Sequence, residues 1–147
     1  MDLISVHVED MMTIEKHLKG EQFADLVEDI SQLTFGEGVY QIGPTIISIP
    51  TEHFFDKEID FKAYVPVSQE VEVEGSEFSW QNVLDIPKAI SSEMKFNDQV
   101  SEEFRKLRQY LDDNNKPVPE RIFLILTPVY TDYWVNIVVP LEDVVEE

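Results

Sequence analysis

The chain has 147 residues, 43% of them hydrophobic, with nine Phe, five Tyr and two Trp. That is enough for one domain with a packed core, and too apolar for a disordered acidic tail. A formal net charge of −19 argues against binding a polyanion such as nucleic acid and against docking on an anionic membrane. It suits a basic partner, a cationic ligand, polyanion mimicry or plain solubility, and the lack of cysteine removes disulfides, thiol nucleophiles and cysteine metal sites.

Residues 3–8 alternate, with Ile4, Val6 and Val8 on one side, and Met12, Ile14 and Leu18 continue the pattern. This predicts an early strand with a bulge near Glu9–Met11. The period then changes: Phe23, Leu26, Val27, Ile30 and Leu33 recur at helical spacing, and Gly36 marks the expected stop. "PTIISIP" and "IDFKAYVPV" predict two strands joined by the polar stretch "TEHFFDKE". The acidic run from Gln69 to Glu77 reads as a connector, and "VLDIPKAISSEMKF" as a strand. "NDQVSEEFRKLRQYLDDNN" predicts an amphipathic helix with Val100, Phe104, Leu107 and Leu111 on one stripe. Asn97 or Asp98 is the expected cap, and Glu102 has the spacing to pair with Lys106. "KPVPE" ends that helix, and "RIFLILTPVY" and "YWVNIVVPL" give two more strands. The start "MDLISVHVED" has no signal-peptide pattern and no window is apolar enough to span a membrane, so a cytoplasmic protein is expected.

The order strand, helix, strand, strand thus occurs twice, with Pro66 and Pro140 at equivalent places and "FKAYVPV" aligned with "VNIVVPL". The expected fold is α+β: duplicated βαββ units forming a mostly antiparallel sheet, with two helices on one face and a groove on the other. The expected organisation is a single domain over 1–147, with one half at 1–68, an acidic connector at 69–78 and a second half at 79–147.

Three segments resemble the gyrase-inhibitor-like (GyrI-like) superfamily of bacterial effector-binding domains. "MTIEKHLKGEQF" resembles its first strand and turn, "DIPKAISSEMKFNDQV" the start of its second half, and "YWVNIVVPL" its last strand. The resemblance implies two βαββ units and a ligand groove along their pseudo-twofold axis. Many drug-binding members carry an acidic residue four before the last strand's proline. Here that place is Asn136. This departure weakens the multidrug reading and also the reading as a hydrolase of strained cyclopropane compounds. The acidity and size further resemble a Gram-positive branch encoded near LXG-type toxins of type VII secretion. That resemblance implies a non-enzymatic, accessory or chaperone-like binding protein with a basic or amphipathic client. The alternative is a protein that binds or sequesters a small aromatic, drug-like molecule in the groove. A gyrase inhibitor acting by polyanion mimicry lies behind these.

No nucleophile elbow or phosphate loop is present, and His7, His17 and His53 lack metal-ligand spacing, so no catalytic residue, metal or cofactor is expected. If Val135, Ile137 and Val139 face the helices, alternation puts Trp134, Asn136 and Val138 on the groove side. Their counterparts in the first half are Asp60, Lys62 and Tyr64. The expected ligand-binding set is therefore Lys62, Tyr64, Trp134, Asn136 and Val138. A competing expectation is that these residues merely cover the sheet face, with Trp134 and Tyr64 packing across strands; in another, Lys62 pairs with Asp60's side of the sheet or a neighbouring acid and closes the site. Trp80 is expected to anchor the connector or lie over the groove mouth. The acidic runs "VEVEGSE" and "LEDVVEE" are expected to be solvated surface or a docking patch for a basic protein. An exposed first strand leaves room for a dimer.

Overall fold

The computed structural model describes residues 1–19, 40–53, 58–69, 78–97, 99–129 and 132–147. Among these, the alternating apolar runs form seven strands: β1 (Asp2–Lys19), β2 (Thr45–Pro50), β3 (Glu58–Pro66), β4 (Phe78–Lys95), β5 (Arg121–Val129), β6 (Asp132–Pro140) and β7 (Val145–Glu146). The one described α-helix, α1, spans Val100–Asp113, and a single 3-10 turn covers Thr51–His53. The helix expected over 20–36 and most of the acidic connector lie outside the described residues.

The strands run in the order β1-β3-β2-β5-β6-β4-β7, and β1 also pairs with β4. That added pairing closes six strands into a barrel, so the described residues are mostly β. This corrects the expected open α+β sheet with two helices on one face and a groove on the other. Two 18-residue strands make closure feasible, because each is long enough to serve two neighbours. β1 meets β4 from Asp2 to Ile14 and β3 from Met11 to Lys19, whereas β4 meets β6 from Ala89 to Lys95. Closure satisfies backbone groups that an open sheet would leave at its edges.

The strand register repeats within the barrel. β3 crosses β2 with Tyr64 opposite Ile46 and Lys62 opposite Ser48, and β6 crosses β5 with Val138 opposite Phe123 and Asn136 opposite Ile125. Where β2 and β5 meet, Ile46 faces Ile125 and Ser48 faces Phe123, a pairing that permits a twofold exchange. This register is compatible with the sequence alignment of Tyr64 with Val138 and of Lys62 with Asn136.

Irregularities fall where the chain must bend. Asp10 has a positive φ of 58°, inside the segment expected to bulge, while the register shift lies between Ile4 and Val6, opposite Pro87. Proline cannot donate to a strand ladder, so its place within β4 is at that shift.

Each face of the barrel wall buries its own cluster. Phe61, Ala63, Val65, Val135, Ile137 and Val139 pack with Val100, Phe104, Leu107 and Leu111 of α1. Alternation sends Met11, Ile46, Tyr64, Phe123 and Val138 to the other face. Burying each large side chain contributes about 1.5–3 kcal/mol. Trp80 packs at the margin of the helix-side cluster, with its indole N–H on Asn82 Oδ1 at 2.8 Å.

α1 forms because its apolar residues recur every three or four positions and Glu102 and Glu103 suit the positive end of its dipole. Gln99 holds the N-terminal boundary with no side-chain cap, while Asn97 Oδ1 accepts the Gln99 amide at 2.8 Å. Lys106 pairs with Glu103 at 3.5 Å instead of the expected Glu102. Glu103 is the better placed acid because it is also held by Ser92 of β4, whose hydroxyl donates to it at 2.5 Å. At the far end, Asn115 adopts φ 55°, and the Lys116 amide reaches back to the Leu111 carbonyl at 2.9 Å. This left-handed turn at Asn115, two residues before Pro117, closes off the helix that ends at Asp113.

Candidate functional site

The row Lys62–Ser48–Phe123 crosses β3, β2 and β5, with Tyr64 one step along β3. A cavity of about 1120 Å³ opens over this row. One wall is Pro117–Glu120, the connection from α1 to β5. Thr51 fixes it by donating its hydroxyl to the Pro119 carbonyl at 2.6 Å and its amide to the Glu120 carbonyl at 2.9 Å. The other wall is the segment from Pro140 to Glu146. The Leu141 amide anchors that wall on the Lys88 carbonyl at 2.8 Å, and β7 anchors it again by pairing with Leu84–Asp85 of β4. Glu147 extends the ladder through backbone bonds with Val83 at 3.0 Å.

The acidic run 141–147 is thus partly an added strand and the cavity wall, not only solvated surface. Its Glu146 reaches over the floor. The Tyr64 hydroxyl donates to the Glu146 carboxylate, and Lys62 Nζ lies 3.5 Å from the same oxygen. Lys62 also donates to Gln81 Oε1 at 3.3 Å and sits 4.9 Å from the Tyr64 ring centre, a cation–π geometry. Beneath it, the Tyr64 and Phe123 rings are 6.3 Å apart and inclined at 43°. Burial first, then the bond to Glu146, pushes the Tyr64 phenol well above its ordinary range, so it is a neutral donor. Arg121 is pinned to Ser48, with Nε 2.6 Å from the hydroxyl and Nη2 2.9 Å from the carbonyl. At the rim, His17 Nδ1 lies 2.6 Å from Asp60 Oδ1 on a solvated face.

Of the residues the sequence singled out, Lys62 and Tyr64 line the cavity. Val138 is fully buried in the cluster with Tyr64 and Phe123. Asn136 lies two residues back along β6, its Oδ1 buried and without a hydrogen-bond partner among the described residues. Trp134 is 39% exposed. These three are not among the cavity's lining residues. Sequence reasoning missed Ser48, Arg121, Phe123 and Glu146. Phe123 was recoverable from alternation in "RIFLILTPVY". The role of Glu146 carried no signal within an acidic run.

His7 is exposed between Glu9 and Asp85, at 3.3 and 3.2 Å, and those carboxylates raise its imidazole above the ordinary value. The His53 side chain lies outside what is described. No group of three or more metal-ligating side chains occurs among the described residues. No described helix is long and apolar enough to cross a membrane.

No family model matches the chain, and no curated protein sequence matches it. Solved structures do resemble it. The C-terminal domain of EcmrR aligns over 97% of this chain and 98% of its own, with TM-score 0.68 and 13% identity. EcmrR in a DNA complex aligns over 97% of this chain but only 57% of its own, with TM-score 0.69 and 14% identity. The chain therefore matches the C-terminal domain and leaves the rest of EcmrR without a counterpart. A hydrolase from Listeria innocua aligns over 95% of this chain and 91% of its own, with TM-score 0.54 and 10% identity. At these identities the likeness concerns the fold alone, and it is consistent with a GyrI-like fold.

Proposed function

We propose that the chain is a non-enzymatic binding protein that holds a small organic molecule with an aromatic or apolar body in the cavity over β2, β3 and β5. The observation that carries this reading is the cavity itself: about 1120 Å³ with the Tyr64 and Phe123 rings at its floor and two proline-bearing walls. Ligand sites are concave and furnished with convergent polar groups; here the floor offers Lys62, Ser48, Tyr64 and Arg121, and the walls and rim add His17 and the acids Glu15, Asp60, Glu120, Glu142, Asp143 and Glu146. The fold-level likeness to the C-terminal domain of EcmrR supports the same reading. A protein client, such as an exported toxin, has only the charge of −19 in its favour, so the cavity reading is the stronger. That charge also favours a ligand other than nucleic acid, although EcmrR itself is seen with DNA. A cytoplasmic location is part of the same proposal.

The test is a thermal-shift screen of aromatic compounds, followed by calorimetric titration of each hit. A ligand at a hundredfold excess over its dissociation constant should stabilise the fold by about 2.7 kcal/mol. Tyr64→Ala should abolish that binding, and mass spectrometry should recover the ligand unchanged. Undiminished binding in Tyr64→Ala would place the site elsewhere, and a converted ligand would make the protein an enzyme.

A further inference from the structure

Resting on the cavity reading above, we propose that the cavity floor is a carboxylate-binding subsite for an aromatic or apolar acid. Glu146 of the chain itself occupies that subsite as an intramolecular ligand. The donors and the acceptor differ in how firmly they are built. Lys62 and Tyr64 project from β3 and Arg121 from β5, strands flanked on both sides within the barrel. The acceptor comes from β7, a two-residue strand at the end of the order, with both residues exposed. It pairs along one edge alone among the described residues, with Leu84 and Asp85 and, through Glu147, with Val83.

With Glu146 away, the floor presents an O–H donor, an ammonium and a fixed guanidinium. A carboxylate is the group that matches such donors. The phenol is held neutral by burial, so it can donate but not compete as an anion. The Lys62 ammonium, whose side chain is 21% exposed, makes its named contacts with Gln81, Glu146 and the Tyr64 ring. Five further acids line the cavity, Glu15, Asp60, Glu120, Glu142 and Asp143, and all five are exposed. Glu15 is exposed across from Lys62, and Asp60 is engaged by His17. The Tyr64–Phe123 pair then supplies a surface for the body of the acid.

An internal occupant lowers apparent affinity by the fraction of time it is absent. The experiment titrates three matched probes, 2-naphthoate, 2-naphthamide and 2-naphthylmethylammonium, into the full chain and its Glu146→Ala and Glu146→Gln variants. Naphthoate should bind both variants about tenfold more tightly than the unsubstituted chain, as expected when a competitor present nine-tenths of the time is removed. The two other probes should not gain. Adding Lys62→Met to Glu146→Ala should cancel the increase, with circular dichroism confirming that each variant is folded. If the ammonium probe gains instead, or naphthoate gains nothing while any probe still binds, the carboxylate subsite is overturned and the cavity reading stands. If no probe binds any of the folded proteins, both fall together.

Discussion

The Tyr64 phenol on β3 donates a hydrogen bond to the Glu146 carboxylate on β7, tying a barrel strand to a residue 82 positions further along. Tyr64→Phe keeps the ring on Phe123 and under Lys62 and removes only the hydroxyl. It should cost about 1 kcal/mol, the usual net worth of one hydrogen bond. Urea titration followed by circular dichroism measures it. A variant as stable as the parent would mean that β7 is held by its backbone ladder alone.

Placement separates Phe123, which the sequence did not single out, from Trp134, which it did. Phe123 lines the cavity and stacks near Tyr64, whereas Trp134 is part-exposed and is not among the lining residues. Any hit from the ligand screen should lose at least about fivefold in affinity on Phe123→Ala, the loss of roughly 1 kcal/mol of aromatic contact. Trp134→Ala should leave it unchanged. Calorimetry on the two folded variants decides, and the reverse order would move the site to the β6 side of the barrel.

The helix stripe can be tested directly. Phe104 is 1% exposed and packs α1 against the barrel with Leu107 and Leu111. Phe104→Ala should destabilise the fold by about 3–5 kcal/mol through lost burial and a residual cavity. A denaturant midpoint that barely moves would show that α1 docks independently of this residue.

These elements differ in how far the sequence discloses them. Val100, Phe104, Leu107 and Leu111 announce α1 because helical period and burial coincide. The apolar alternation in "FKAYVPV" and "VNIVVPL" fixes which side chains face the helix. Barrel closure is not legible in this way. It depends on Ile4 meeting Ala89 and Met12 meeting Trp80, contacts between strands whose own patterns would suit either an open or a closed sheet. Two of the five expected site residues, Lys62 and Tyr64, follow from alternation on β3 and line the cavity. The equivalent places on β6 take Asn136 and Val138 to similar positions on the wall, but the cavity needs Pro117–Glu120 and Pro140–Glu146 above it, and no periodicity describes those segments. β7 is two residues long in an acidic run, too short to show a period at all.

The link between α1 and β4 should make stability pH-dependent in a defined direction. Ser92 donates to Glu103 at 2.5 Å, and this bond, helped by Lys106 and opposed by burial, lowers the Glu103 carboxyl below its ordinary 4.5. A carboxyl with a depressed folded value contributes stability that is present above the unfolded value and lost as pH falls through the folded one. Ser92→Ala should therefore lower the urea midpoint at pH 7, and the gap from the parent should narrow at pH 3. An NMR titration of the variant should place Glu103 back near its ordinary value. The same gap at both pH values would show that Ser92 acts through packing on the barrel wall, and that the charge on Glu103 does not hold the helix in place.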